Sequence, residues 1–246
     1  MATSYLLEIS VQTVAAAIAA ERGAAQRIEL CANLDAGGLT PSQELMRQVR
    51  HEVRIPIFAM IRPRVGDFVY SPAEIGYMKR DIDLAKSARM DGIVLGSLTA
   101  DHYVDVERTR ALVKFAQPLP VTFHRAFDVI ADQDTELNAV IATGAARILT
   151  SGGAATAPAA LDKLARLVAA AQERITIVPG GGINASNITE VARRTGAREF
   201  HSGLGSELAY GQKDYDAFAS EVRKMADALA NFDAMKNKGR GEMPRP

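Results

Sequence analysis

From Tyr5 onward, short runs of Ile, Val, Leu and Phe alternate with longer Ala-rich segments dotted with charge at helical spacing. A period near two giving way to one near 3.6 predicts repeated βα units, and eight fit the chain. Strand cores are expected at Leu6–Ile9, Arg27–Cys31, Ile57–Arg62, Gly92–Leu95, Val121–His124, Arg147–Thr150, Thr176–Pro179 and Glu199–Ser202. Helices are expected at Val11–Arg22, Ser42–Glu52, Pro72–Arg89, Asp105–Phe115, Asp134–Thr143, Pro158–Gln172, Ala185–Arg194 and Tyr215–Phe232. Gly23, Gly144 and Gly196 each follow a helix, where a left-handed cap suits glycine, and Pro41, Pro72 and Pro158 stand where helices open. No linker or change of composition divides the middle. One domain is therefore expected over 1–235, with 236–246, polar and rich in Gly, Pro and charge, as a disordered tail. Eight such units in 246 residues have the size and repeat of a single (β/α)8 TIM-type barrel, class α/β. A doubly wound open sheet is the alternative. Against it, Ser10-Val11-Gln12 follows the first strand where a nucleotide-binding sheet carries a glycine-rich turn.

Barrel enzymes build their sites at the C-terminal strand ends, so polar residues on the inward parity there are the candidates. The inward rows read Leu6, Glu8; Glu29, Cys31; Phe58, Met60, Arg62; Thr122, His124; Ile148, Thr150; and Glu199, His201. Glu8, Glu29, Arg62, His124 and His201 then converge on one mouth, joined from the loops by Arg64, Asp67, Arg125 and Asp128. One such charge is more often a structural ion pair or a cap. Five in phase on separate strands point to a ligand site, because an unpaired buried charge costs several kcal/mol (roughly) and needs a reason to be there. Glu8, Glu29, Arg62, His124 and Asp128 are the catalytic candidates, by proton transfer and by holding an anion.

Glycines follow the last three strands, in Ser151-Gly152-Gly153, Gly180-Gly181-Gly182 and Ser202-Gly203, each running towards a helix. Backbone N–H groups at Gly152, Gly181, Gly182 and Ser202, with Thr150 and Ser151, would hold a phosphate or carboxylate, although tight βα turns also need glycine without any ligand. The lysines stand away from the strand ends, which argues against Schiff-base chemistry, and there is no His-Glu-x-x-His or Cys-x-x-Cys metal motif. Cys31 and Met60 could offer soft ligands to Cu(I), though both are also ordinary core residues.

Charge balances at 29 basic against 29 acidic residues, so neither nucleic acid nor an anionic membrane is an expected partner. One cysteine cannot form a disulfide within the chain, and the first residues lack a leader's basic region and apolar run; a cytoplasmic location is expected. No run reaches the roughly twenty apolar residues that span a bilayer. The weakly charged alanine runs Val14–Ala20 and Leu164–Ala171 suggest surfaces where two copies meet as a homodimer.

Several stretches in order carry a resemblance to a known family: Leu6-Leu7-Glu8, Arg27-Ile28-Glu29-Leu30-Cys31, Gly37-Gly38-Leu39-Thr40-Pro41-Ser42, Met60-Ile61-Arg62-Pro63-Arg64, Gly66-Asp67-Phe68, Val121-Thr122-Phe123-His124-Arg125-Ala126-Phe127-Asp128, Leu149-Thr150-Ser151-Gly152 and Phe200-His201-Ser202. Together they resemble the CutC family, named for copper homeostasis. The resemblance implies a (β/α)8 barrel, a cytoplasmic copper-handling role and cysteine ligation of Cu(I). With Cys31 as the single cysteine, a two-cysteine site within one subunit is impossible here. The polar mouth reads more like an enzyme's, acting by acid–base chemistry of lyase or isomerase type on a small anionic or phosphorylated carbonyl compound.

Overall fold

Each expected strand forms, and each runs parallel to its neighbours. The computed structural model of the chain describes residues 4–204 and 214–241. Its strands are β1 (Leu6–Val11), β2 (Arg27–Leu30), β3 (Ile57–Met60), β4 (Gly92–Leu95), β5 (Val121–Phe123), β6 (Arg147–Thr150), β7 (Thr176–Pro179) and β8 (Glu199–Ser202). The helices that follow them are α1 (Val14–Arg22), α2 (Gln43–Glu52), α3 (Pro72–Ser87), α4 (Val106–Ala116), α5 (Gln133–Thr143), α6 (Leu161–Ala171), α7 (Ile188–Thr195) and α8 (Tyr215–Gly241). The strands pair in sequence order, β8 returns to pair with β1, and a parallel bridge between Gly180 and His201 brings β7 to β8. A nearly closed (β/α)8 barrel results. Among the described residues no helix is long and apolar enough to cross a membrane.

Strand alternation sorts the barrel into two environments. Leu7, Ile9, Ile28, Leu30, Ile57, Ala59, Ile93, Leu95, Val121 and Phe200 pack outward, in the core shared with the helices. The opposite parity turns to the barrel axis, where Phe58, Met60, Val94 and Cys31 form a small apolar cluster. On β6 the expected parity is reversed. Ile148 packs outward with Phe123 and Ile177, while Arg147 reaches Glu199 and Leu149 lies against Gly180, whose added Cβ would stand 2.5 Å from Leu149 Cδ1. The charge decides this orientation, because a buried guanidinium needs its carboxylate and Glu199 lies inside.

Three strands stop one or two residues early, so Cys31, Arg62 and His124 follow β2, β3 and β5 and belong to the loops over the mouth. β1 instead continues to Val11, and α1 starts at Val14 under the Thr13 side chain, which accepts from Ala16 N–H. Gly144 and Gly196 are left-handed caps as expected, whereas Gly23 has a negative φ. Its need for glycine is steric, since a Cβ there would lie 2.5 Å from Val222 Cβ on α8. In the alanine runs, Ala16, Ala17, Ala19, Ala20, Leu164, Leu167 and Ala171 are buried within the chain itself. They are not surfaces left for another copy; Ile18, 41% exposed, is what α1 presents outward as a large apolar group. α8 passes the boundary expected at 235 and reaches Gly241, through good helix formers at Ala234, Met235 and Lys236. Residues 242–246 of the expected tail lie outside the described residues, as do 205–213 between β8 and α8.

Candidate active site at the barrel mouth

A cavity of about 270 Å³ opens at the C-terminal strand ends. Glu29, Met60, Arg62, His124, Arg125, Gly181, Gly182, His201 and Ser202, all named from the sequence, line it together with Ser10, Phe68 and Leu149. Glu8 sits directly beneath, 1% exposed, and touches the cavity only through His201.

On one side the site is a column of charged side chains rising along the barrel axis. At its base, Glu199 Oε2 accepts from Arg147 Nε at 2.9 Å and from Arg27 Nη2 at 2.6 Å. The Arg147 and Arg27 guanidinium carbons lie 5.2 and 4.9 Å from the centre of the Phe58 ring. Arg27 Nε donates to Glu8 Oε2, and Glu8 Oε1 meets His201 Nδ1 at 2.7 Å. His201 Nε2 in turn faces Glu29 Oε2 at 3.7 Å. Parallel register stacks these groups, with Glu8 opposite both Arg27 and His201.

The column separates the acidities of its two carboxyl groups. Burial alone would raise Glu8, but Arg27 and His201 hold it down to about 2, so it is a fixed anion. Burial raises Glu29, and the nearby Glu8 charge adds to the rise although His201 pulls it back. Burial would lower His201, yet the Glu29 and Glu8 carboxylates, one at each ring nitrogen, raise it. Glu29 is a lining residue of the cavity, and its Oε1 is buried with no partner among the described residues. The arrangement suits proton transfer at Glu29, with His201 held by Glu8 behind it.

Across the cavity, His124 is buried and its Nδ1 accepts from Ala126 N–H at 3.2 Å. The ring proton therefore sits on Nε2, which has no partner among the described residues. Burial, and then the Arg62 charge, push His124 down to about 3, so the ring is neutral. Phe68 lies between the two, its ring centre 4.9 Å from that of His124 and 4.8 Å from the Arg62 guanidinium carbon. Arg62 donates to the carbonyls of Ala36 at 3.1 Å, Gly38 at 3.3 Å and Gly66 at 2.9 Å. It lines the mouth, but most of its donors tie two loops together.

Other candidates are occupied in the same way. Arg64 and Asp67 do not line the cavity: Arg64 donates to Glu74, to Asp67 and to the carbonyls of Val65, Asp67 and Val69. The loop after β6, expected to hold an external anion, is filled by one from the chain. Asp128 accepts from the Thr150 hydroxyl, from Ser151 N–H and Oγ–H, from Gly153 N–H and from Arg125 Nε. Gly152 N–H donates to Thr150 Oγ1, and a Cβ on Gly152 would lie 2.9 Å from Ala160 Cβ, so its glycine serves the turn. Asp128, Thr150, Ser151 and Gly152 thus form a self-satisfied loop beside the cavity. Gly181 and Gly182 remain open: their N–H groups donate to no described atom, and Arg125 stands close, with its Nη1 3.6 Å from a Cβ built on Gly181.

The sequence reading missed Arg27, Arg147, Phe68 and Ser10 as parts of the site. Arg27 shares the parity of Glu29 and Ser10 that of Glu8, so carrying the alternation one residue pair further in each direction would have found them. For the copper ligands, Cys31 and Met60 do pack together, with Cys31 Sγ and Met60 Cε 3.2 and 3.4 Å from a Cβ built on Gly38. Cys31 is fully buried; its thiol donates to Glu29 Oε2 at 3.6 Å, and burial followed by Glu29 raises its pKa well above the usual value. Among the described residues no group of three or more His, Cys, Asp or Glu is arranged to hold a metal ion.

Comparison with known proteins accords with this architecture. The sequence model of the CutC family matches residues 5–206. The chain is 45% identical over 212 residues to a human protein named copper homeostasis protein cutC homolog, covering 86% of this chain and 78% of that one. It is 46% identical over 241 residues to a CutC family protein of Chromobacterium violaceum, covering 91% and 98%. The crystal structure of CutC from Streptococcus agalactiae superposes with a TM-score of 0.76 at 35% identity, over 80% of this chain and 98% of that one. A thiamine phosphate pyrophosphorylase from Pyrococcus furiosus, at 18% identity and a TM-score of 0.61, shares the fold alone. On sequence and structure together, the chain belongs to the CutC family.

Proposed function

We propose that this chain serves copper homeostasis, as the names of its relatives have it, and that its barrel mouth carries out acid–base chemistry on a small anionic carbonyl compound. The carrying observation is Glu29: a buried carboxyl lining the cavity, with one oxygen unpartnered among the described residues and the other facing a histidine that a fixed carboxylate orients. Such an array moves a proton at Glu29 Oε1 while Glu8 and His201 keep the carboxyl in place. Neutral His124 offers a hydrogen-bond donor from the opposite wall, and Gly181, Gly182 and Arg125 offer donors to the anionic end. The test is a calorimetric screen of the wild type and Glu29→Gln with small carboxylated and phosphorylated carbonyl compounds. Binding in both proteins with turnover only in wild type supports the reading; no saturable binding at millimolar concentration would sink it.

A second reading, direct Cu(I) binding, draws on the packing of Cys31 and Met60 against each other beside the Glu29 carboxyl. Copper here is cargo, and the thiol must lose its proton to hold it, against the raised pKa of a buried group. Cu(I) titration of wild type, Cys31→Ser and Met60→Leu distinguishes the cases, since tight stoichiometric binding that both variants lose would establish the carrier. A cytoplasmic location is proposed with it, on the support of a single buried free thiol. A homodimer is proposed on the exposed Ile18 face of α1, and light scattering showing a monomer at micromolar concentration would remove it.

A further inference from the structure

Two atoms of the mouth lack partners in a way that specifies what must lie between them. His124 Nε2–H is a buried donor, and Glu29 Oε1 is a buried carboxyl oxygen; neither is satisfied among the described residues. Both residues line one cavity of about 270 Å³. They stand on β2 and just beyond β5, three strands apart in an eight-strand ring, and so belong to different walls of the cavity. Leaving either polar atom unmatched in a dry site costs about 1–3 kcal/mol, so a ligand matching both gains twice. The donor calls for an oxygen that gathers negative charge. The carboxylate calls for an acidic hydrogen.

A third feature fixes the ligand's other end. Gly181 and Gly182 line the same cavity with positive φ, their N–H groups uncommitted among the described residues. The Arg125 guanidinium carbon lies 3.5 Å from a Cβ built on Gly181, and its Nη1 has no described acceptor, Nε and Nη2 being bound to Asp128 and Ser151. An anionic group seated here leaves the remaining atoms of a short ligand between His124 and Glu29.

We infer that the cavity takes an enolisable carbonyl compound with an anionic end, its carbonyl oxygen accepting from His124 Nε2–H and its α C–H facing Glu29 Oε1. The inference rests on the acid–base reading of the mouth and narrows it to proton abstraction beside a carbonyl. Glu29, as carboxylate, takes the α proton. The C–H bonding pair becomes the C=C bond of the enolate, and the carbonyl π pair moves to oxygen, where His124 Nε2–H meets it. Return of the proton to the same carbon regenerates Glu29 and the carbonyl, so the step balances without oxidant, reductant or second substrate. A neutral imidazole suits the donor's role, because it matches a developing oxyanion without transferring its proton outright.

Two probe pairs test this: oxalate against L-lactate, and phosphoglycolohydroxamate against glycerol 3-phosphate. The first member of each is a planar enolate mimic and the second a tetrahedral control with the same kind of anionic end. Calorimetry on wild type should show one mimic bound at least about tenfold more tightly than its control. The pair that responds tells whether the anionic end is carboxylate or phosphate. His124→Phe should abolish that preference, while His124→Gln, which keeps an N–H donor, should retain part of it. Proton NMR in D₂O with pyruvate, 2-oxobutyrate and dihydroxyacetone phosphate should show protein-dependent loss of the α C–H signal, slowed about 100-fold or more in Glu29→Gln. Thermal unfolding of each variant verifies its fold. Equal binding of mimic and control in both pairs, or exchange undiminished in Glu29→Gln, overturns the inference. Turnover of a carbonyl compound without α C–H exchange overturns it while leaving the broader acid–base reading standing; no binding of any probe or carbonyl compound removes both.

Discussion

On the wall built by β1, β2 and β8, Glu8, Arg27, Glu29 and His201 answer one another side chain to side chain. Across the mouth, Arg62, Arg125 and Asp128 direct most of their hydrogen bonds to the backbone and hydroxyls of their own and adjacent loops. Both walls use carboxylates and guanidinium groups, yet among the described residues only the first leaves a buried carboxyl oxygen unmatched. The difference teaches that a charged residue at a barrel mouth is chemically available only where its neighbours satisfy it incompletely. Asp128, with five donors around it, shapes a loop; Glu29 keeps one buried oxygen unmatched among the described residues.

The comparison breaks most sharply at Arg27. Arg27→Met strips the column of its central cation, leaving the buried Glu8 with His201 alone and Glu199 with Arg147 alone, and it should destabilise the fold by about 3–5 kcal/mol. Denaturant unfolding measures this, and a loss below about 1 kcal/mol would mean that the column is not the stabilised unit described.

Titration separates the two buried histidines, one acting below pH 6.5 and the other above it. His124 is depressed from 6.5 to about 3, so as pH falls the unfolded chain takes the proton first; the stability it contributes above pH 6.5 is lost progressively down to about pH 3. Between pH 6.5 and 4.5 that amounts to about 2–3 kcal/mol. His201 is raised, so its contribution is fully present below 6.5 and fades as pH rises through its folded value. The His201 contribution is already complete below pH 6.5, so this window reports His124, and His124→Phe should abolish the loss on acidification there. Below pH 4.5 Glu8 joins the loss, as protonation proceeds towards its value of about 2. Urea midpoints across the pH range test the sign: a His124→Phe protein that still weakens between pH 6.5 and 4.5 would contradict the assignment.

Smaller effects belong to the loop-directed wall. Arg62→Met removes donors to three carbonyls and should cost about 1–3 kcal/mol, read by thermal unfolding, together with faster amide exchange around Gly38 and Gly66. Arg64→Ala, a solvent-screened staple off the cavity, should cost at most about 1 kcal/mol and leave ligand binding unaltered. A larger loss of binding in Arg64→Ala than in Arg62→Met would invert the picture of which arginine lines the mouth.

Much of this was legible in residue order. Period-two runs gave all eight strands, and the in-phase polar ends pointed to Glu8, Glu29, Arg62, His124 and His201 at one mouth; the last four line the cavity, while Glu8 lies beneath it. The reversal on β6 was not legible, because Ile148 and Thr150 against Arg147 and Leu149 offer no clean alternation; only the position of Glu199 settles which pair turns in. The glycine loop after β6 misled for a related reason. Ser151-Gly152-Gly153 does gather donors around an anion, but the anion is Asp128, more than twenty positions earlier in the chain.

The sequence alone determined the number of βα units, their order and the faces most strands bury, because hydrophobic periodicity is a property of near neighbours and each helix or strand carries its own. Tertiary structure alone decided which charged atoms are satisfied. Glu8 and His201 stand 193 positions apart and meet only because β8 closes beside β1 in one register. A hydrogen bond depends on distances of about 3 Å, which strand order and loop closure set and residue spacing does not encode.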